Sequence, residues 1–425
     1  MLIWRTDEPT SGRDHSSVSA RFSRLLMTSV LTTTLRKPAI RTCALVMLAF
    51  GTTGAATTPY MAVVGIREFG LSDFSYSILM LLSALVNVAS SVLAGSVADR
   101  FGNFRGPMLG AAAFGMAGFA SIYLAPSAGL FVCMMLSAIP IHNSLNSLIF
   151  AQSRAAATGL SVRELISLTS FIRSLVSLAW VIVPGTVGYF LADGGSMLPI
   201  FLLASLASTS SFLLIQFFLP GPDRAATPPP AFALAGSFRL LASRSLLVRM
   251  LALALLMSTL SLNGAVLPLI VTGQAGGRSA DVGVIVGIVA FLEIGFMILW
   301  GRLTRLISPI VAILIGGSMY SVYLALLGFA PTVHYVYALT LLSGCGGAAI
   351  ISLPLSYMQN LIADRAGLGS SLIAVNVFMS ACLSSTIFAI GTAVSDYSGT
   401  AIMGACAALV GGVLMAVLDL KKTTS

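Results

Sequence analysis

Charge is what this chain has least of. Only 9% of its 425 residues are Asp, Glu, Lys or Arg, and 14 are acidic, whereas soluble domains carry roughly 25% charged residues. A chain this poor in charge cannot cover a soluble surface, so soluble enzymes and soluble binding modules are excluded. Cysteine is scarce and dispersed. Cys43, Cys133, Cys345, Cys382 and Cys406 all fall in apolar stretches, which argues against a disulfide framework or a clustered metal site. The three histidines are scattered and make no metal motif. No Walker phosphate loop and no catalytic triad pattern is present, so neither ATP nor acid–base catalysis is expected to drive the protein. Glycine strings such as Gly344-Cys345-Gly346-Gly347 lie in apolar stretches and read as helix contacts. The expectation is no enzyme activity, no cofactor and no metal. The formal charge of +9 does not point to nucleic acid, because the basic residues sit in short loops between apolar stretches.

Apolar runs are what the chain has instead. It is 57% hydrophobic, with a mean hydropathy of +0.97. A membrane-spanning helix needs about 20 mostly apolar residues. That ruler gives six candidates at 42–65, 75–98, 107–125, 128–150, 166–191 and 197–218. Six more lie at 249–271, 281–300, 309–329, 332–353, 369–393 and 399–418. The shortest connections, Ala125-Pro126-Ser127 and Ala330-Pro331, are proline-punctuated hairpins. The expected fold is an all-α integral membrane protein with twelve transmembrane helices in two six-helix halves, embedded in a lipid bilayer.

The basic residues give the orientation. Twenty of the 23 Lys and Arg fall on the side of the termini, Arg67 and Arg278 fall on the other, and Arg173 lies within a span. The positive-inside rule then places both termini in the cytoplasm. Residues 1–41 read as a polar, disordered cytoplasmic tail with no cleavable signal peptide, in which Met27 is a second plausible start. Residues 42–218 are the first half and 249–418 the second, joined by a Pro- and Arg-rich linker at 219–248. Within that join, Ser237 to Arg249 reads as a short amphipathic surface helix. Residues 419–425 form a cytoplasmic C-tail.

Between spans 2 and 3 stands Gly95-Ser-Val-Ala-Asp99-Arg100-Phe-Gly102-Asn-Phe-Arg105. Gly95 suits close helix approach, and Gly102 suits a tight turn. Asp99 and Arg100 suit pairing at helix ends. This string resembles the GxxxDRxGxxR signature of the major facilitator superfamily, in the loop where that family keeps it, and the resemblance implies a latch on the cytoplasmic gate. The matching loop of the second half, Gly301 to Pro309, keeps the glycine and arginines but lacks the aspartate.

A narrower resemblance rests on several strings. They are Ala55-Ala-Thr-Thr-Pro59, Arg173 followed by Ser177-Leu-Ala-Trp180-Val-Ile-Val-Pro184, Ala290-Phe-Leu-Glu293-Ile and Asp364-Arg365-Ala-Gly367. Together they look like the bacterial sugar efflux transporters, with the departure that Gly185 stands where a second proline is expected. The resemblance implies proton-coupled export of a small sugar or sugar-like solute through the bacterial inner membrane by a monomer. Export of drugs or amino acids by the same machinery is the alternative, and a non-transporting membrane sensor is a more distant one.

Arg173 and Glu293 are the lone charges in the apolar stretches 165–192 and 282–301, and a charge at bilayer depth marks a functional site by default. A carboxyl that is neutral in one state and ionised in another is what a proton carrier needs. Arg173 and Glu293 come from opposite halves and are candidate partners for each other. His142 is a candidate proton relay or a packing residue. Asn143, Asn146, Asn263, Gln359 and Asn376 suit sugar hydroxyls, because each amide both donates and accepts, or serve as interhelical glue. Trp180 reads as an anchor or a sugar-stacking surface.

Overall fold

The computed structural model describes residues 37–191, 195–221, 244–361 and 366–419. Twelve helices in them are long and apolar enough to cross a membrane. In chain order the first six are α1 (Pro38–Glu68), α2 (Asp73–Ala98), α3 (Arg105–Leu124), α4 (Ala128–Ala156), α5 (Glu164–Phe190) and α6 (Pro199–Phe218). The second six are α7 (Leu246–Val271), α8 (Ser279–Leu303), α9 (Pro309–Gly328), α10 (Val333–Pro354), α11 (Val375–Val394) and α12 (Tyr397–Asp419). Each of the twelve expected spans is present as a helix among the described residues.

Local chemistry sets the ends. Pro38 opens α1 four residues earlier than the apolar run suggests, because proline at the first helical position has no N–H to lose. Ser127 caps α4 by accepting from Leu130 N at 3.3 Å, which fixes the tight hairpin after Pro126. The seventh helix begins at Arg244, so Arg244 to Arg249 continues into α7 rather than ending a separate surface helix. Ser237 to Ser243 lie outside the described residues.

Two spans are broken, and each has a break that traces to proline. Pro59 cannot donate to the carbonyl four residues back and its ring crowds it, so α1 tightens into a 3-10 turn over Thr58–Tyr60 and widens over Val64–Glu68. Pro140 acts likewise on α4 at Ser137, and that span is interrupted a second time at Ser144, which Pro140 does not explain.

The two halves meet along α5 with α8 and α2 with α11. Their apolar interior has three parts. One core draws on both halves, with Tyr60, Phe131, Val187 and Phe201 from the first and Leu262, Val282, Tyr323 and Phe388 from the second. The other two belong to one half each, around Met47, Met108 and Leu148 and around Leu253, Trp300 and Met415. The shared core lies toward the end away from the chain termini, and the separate cores lie toward the terminal end.

Candidate functional site

A cavity of about 700 Å³ lies between the halves. Ligand pockets commonly hold 300–1,000 Å³. Its walls are built where the helices are irregular or polar. The last regular turns of α1 contribute Thr53 and Thr57, its broken stretch contributes Thr58 and Pro59, and Asn143 stands at the second break of α4. Backbone irregularity at membrane depth is tolerated where it lines such a cavity. Span α5 contributes Arg173, Ser177 and Trp180, and the second half contributes Asn263, Glu293, Tyr320 and Ser343.

The hydroxyls of the α1–α2 wall are already committed. Thr53 Oγ1 donates to Phe50 O at 2.7 Å, Thr57 Oγ1 to Thr53 O at 2.8 Å and Ser83 Oγ to Met135 O at 2.9 Å. Each hydroxyl has one hydrogen, so in this arrangement these three offer lone pairs to a guest. On the facing wall Tyr323 donates to Asn263 Oδ1 at 2.9 Å, and the Tyr320 and Tyr323 rings lie 5.2 Å apart. The cavity thus carries acceptors, amide groups, a guanidinium and a carboxyl around an apolar floor.

Five of the expected site residues come together here: Arg173, Glu293, Asn143, Asn263 and Trp180. Arg173 is exposed to the cavity and Glu293 half-buried in its wall. No ion pair joins them among the described residues. Three others are placed elsewhere. His142 is fully buried between the Phe50 and Phe119 rings, with Nε2 3.2 Å from Thr53 Oγ1 and Nδ1 3.2 Å from Ala111 O. It therefore stands one side chain behind the wall, in space left by Gly115, where a Cβ would come within 2.2 Å of its ring. Asn376 is also fully buried and donates to Met250 O at 2.8 Å, joining α11 to α7. Asn146 is exposed outside the cavity lining, with the break at Ser144 between it and Asn143. The Gln359 side chain lies outside the described residues.

The loop motif is partly described. Gly102 has φ +59°, the left-handed conformation a tight turn requires. Arg105 donates to Gln216 O at 2.6 Å, tying α3 to α6, and Arg100 is exposed. A Cβ at Gly95 would meet nothing within 4 Å, so close helix approach is not its role in this conformation. The Asp99 side chain lies outside the described residues, as do Asp364 and Arg365.

One end of the cavity is shut by residues that sequence reasoning passed over. Arg67, counted there only as an exterior cation, reaches from α1 to the last turn of α7. It donates to Leu269 O at 3.0 Å, Thr272 O at 3.0 Å and Thr272 Oγ1 at 2.7 Å, and a cation suits the carbonyl end of a helix. Tyr397 of α12 donates to Asp73 of α2 at 2.8 Å. Between them α5 and α8 touch backbone to backbone, and a Cβ at Gly283 would lie 2.0 Å from Pro184 O. Among the described residues, the hydrogen bonds seen at the terminal end stay within a half. Lys37 donates to Thr158 O at 2.9 Å, and Arg249 pairs with Asp419 at 2.8 Å while Tyr357 donates to the same carboxylate at 2.5 Å. The arrangement is a central polar chamber sealed at one end, with the halves separately packed at the other.

Comparison with known proteins agrees with this architecture. The sequence profile of the Major Facilitator Superfamily matches residues 1–167. A putative sugar efflux transporter of Deinococcus radiodurans is 26% identical over 373 residues, covering 86% of this chain and 93% of that protein. Sugar efflux transporter C of Escherichia coli is 25% identical over 343 residues, covering 78% and 84%. Among solved structures, the nucleoside transporter NupG superposes with a TM-score of 0.75 at 11% identity, over 90% of this chain and all of that one. A POT family transporter gives 0.75 at 13% identity, over 90% and 96%. At such identities the structures speak for the fold alone. In fold, loop motif and relatives this chain, with its twelve membrane-spanning helices, is similar to transporters of the Major Facilitator Superfamily and resembles the bacterial sugar efflux transporters.

Proposed function

We propose that this protein exports sugars or glycoside-like solutes across the bacterial inner membrane, by proton antiport and with alternating access of the central chamber to the two sides. The observation that carries this reading is that Arg173 and Glu293, from opposite halves, face one chamber sealed at one end. Glu293 is assigned the coupled proton, and it is the one acidic side chain of the chamber lining among the described residues. Arg173 is assigned to the carboxylate form of Glu293 or to cargo. Asn143, Asn263 and Trp180 are assigned to cargo, with the hydroxyl wall of Thr53, Thr57 and Ser83 accepting from it. The names of the relatives support sugar as the cargo class. The terminal end is assigned to the cytoplasm, and on that assignment the sealed end faces outward and the conformation is read as inward-facing, in a protein taken to act as a monomer. Asp99 is assigned to the latch that holds the opposite state.

A second reading has one observation in its favour. Met61, Met80, Met135 and Met297 line the chamber, and flexible thioethers suit varied apolar guests. Export of amphiphilic drugs is therefore the alternative.

The deciding experiment uses the full chain in proteoliposomes with an imposed pH difference, offered labelled sugars and labelled drugs. Wild type is expected to move a sugar uphill. Glu293→Gln keeps shape and hydrogen bonding without ionising, so it should lose uphill movement yet still exchange cargo between equally loaded sides. Uphill pumping by Glu293→Gln would remove the coupling role, and drug movement without sugar movement would favour the second reading. Orientation is checked by fusing alkaline phosphatase and a fluorescent protein in turn after Ser425. A bright fluorophore and an inactive phosphatase are expected.

A further inference from the structure

Spans α5 and α8 run antiparallel in a register fixed by three close approaches. A Cβ at Gly188 would lie 2.6 Å from Ala280 O, one at Gly283 2.0 Å from Pro184 O, and one at Gly287 3.0 Å from Val181 O. Continuing that register brings Arg173 level with Ile294 and Gly295, within a turn of Glu293. The two opposite charges are thus neighbours by height, yet they are not paired. The Glu293 carboxyl is turned toward α10 instead. A Cβ at Gly347 would sit 2.6 Å from Glu293 Oε1 and 3.4 Å from the Tyr320 ring edge. The two glycines nearby do other work. A Cβ at Gly344 would meet Leu292 at 2.8 Å, and one at Gly346 would meet the α9 backbone at Tyr320 N, 2.7 Å away. Of the three, Gly347 is the one that makes room for a carboxyl.

We propose that Gly347 is a positioning residue. With Tyr320 it forms a notch that holds the Glu293 carboxyl away from Arg173 in this conformation, and exchange between notch and guanidinium is how the carboxyl changes surroundings as the halves move. This rests on the reading of Glu293 as the coupling carboxyl. The groups around it are few. Arg173 from α5 is the charged one, Tyr320 from α9 the titratable one, and α10 presents Gly347 and Ser343. In the notch Glu293 makes no hydrogen bond to a described residue. An ionised carboxylate without a partner is costly at this depth, so the notch suits the neutral acid. Beside Arg173 a charge-assisted bond favours the carboxylate. On leaving the notch the acid gives its proton to chamber water, and on returning it takes one back.

The test reads the carboxyl directly. Dicyclohexylcarbodiimide reacts with protonated carboxyls, and the adduct on Glu293 is followed by mass spectrometry on the detergent-solubilised full chain at neutral pH. Gly347→Ala pushes the carboxyl toward Arg173 and should slow modification by about tenfold, the weight of one charge-assisted hydrogen bond. Adding Arg173→Gln to Gly347→Ala should restore the wild-type rate. Gly344→Ala, which crowds Leu292 on the same helix, should leave it unchanged. The notch is overturned if Gly347→Ala reacts like wild type, if Arg173→Gln fails to restore the rate, or if Gly344→Ala slows it equally. Should Gly347→Ala not yield folded protein, Glu293→Asp decides, because it withdraws the carboxyl by one methylene. Recovery of folded protein by the pair supports the notch, and no recovery overturns it. Uphill pumping that survives Glu293→Gln would sink the coupling role while leaving this labelling series to rule on the notch.

Discussion

Among the described residues, the two halves share one apolar core and exchange hydrogen bonds at the sealed end, whereas at the terminal end each half keeps its own core and the bonds described stay within it. The polar joints differ in kind as well as in place. Arg67 is exposed, and Asp73 and Tyr397 are half-buried, so water can take over their hydrogen bonds when the ends part. Arg249 and Asp419 are about one-tenth exposed and bind each other, with Tyr357 on the same carboxylate. Opening that joint would leave a buried charge behind. On the proposed alternating access, the joints that would break in every cycle are wet and singly weak, and those that would last are dry and mutually satisfied.

The largest effect should come from a dry joint. Asp419→Ala strands the Arg249 guanidinium, and breaking one partner of a buried pair costs about 3–5 kcal/mol. Thermal unfolding in detergent should show a markedly lower midpoint or no folded protein. An unchanged midpoint would mean the pair is not structural, and the distinction between wet and dry joints would fail. Arg67→Ala should act on the other axis. It removes the hydrogen bonds to α7 while leaving each half intact, so the unfolding midpoint should hardly move. The balance between the two openings should shift by about tenfold, since net hydrogen bonds are worth about 1 kcal/mol each. A cysteine at Ser177, in the chamber wall, reports this through faster maleimide modification from the sealed side. Tyr397→Phe removes one bond to Asp73 and should give the same sign with a smaller shift, about fivefold. If Tyr397→Phe destabilised the fold as much as Asp419→Ala, the two ends would not differ in the way described.

Much of this was legible in the chain. Length and hydropathy count spans well because a bilayer imposes one ruler on every helix, and lone charges stand out for the same reason, so Arg173 and Glu293 were found. Polar neutral residues were not separable. Asn143 and Asn376 carry the same amide, yet one faces the chamber and the other caps a packing contact to Met250 O. Only the rotation of a helix within its bundle decides which, and lipid and protein faces are both apolar in sequence. His142 shows the same limit, since its two partners come from α1 and α3. Arg67 and the Arg249–Asp419 pair were missed because each joins residues about 170 or more positions apart, a distance over which no local pattern survives. One signal was available and under-used. Thr53, Thr57 and Thr58 before Pro59 announce a helix that breaks beside polar groups, and that break builds a wall of the chamber.

The chamber also sets a hydraulic condition on the cycle. At about 30 Å³ per molecule of liquid water, its 700 Å³ corresponds to roughly two dozen waters. A guest the size of a disaccharide displaces only part of that load, and the remainder must be carried across or squeezed out each time the ends exchange. On the proposed cycle, water activity would therefore enter the transport equilibrium alongside cargo and the coupled proton. The same turnover would run differently in a dilute cytoplasm and in one concentrated by osmotic stress, with no change in any contact between protein and solute.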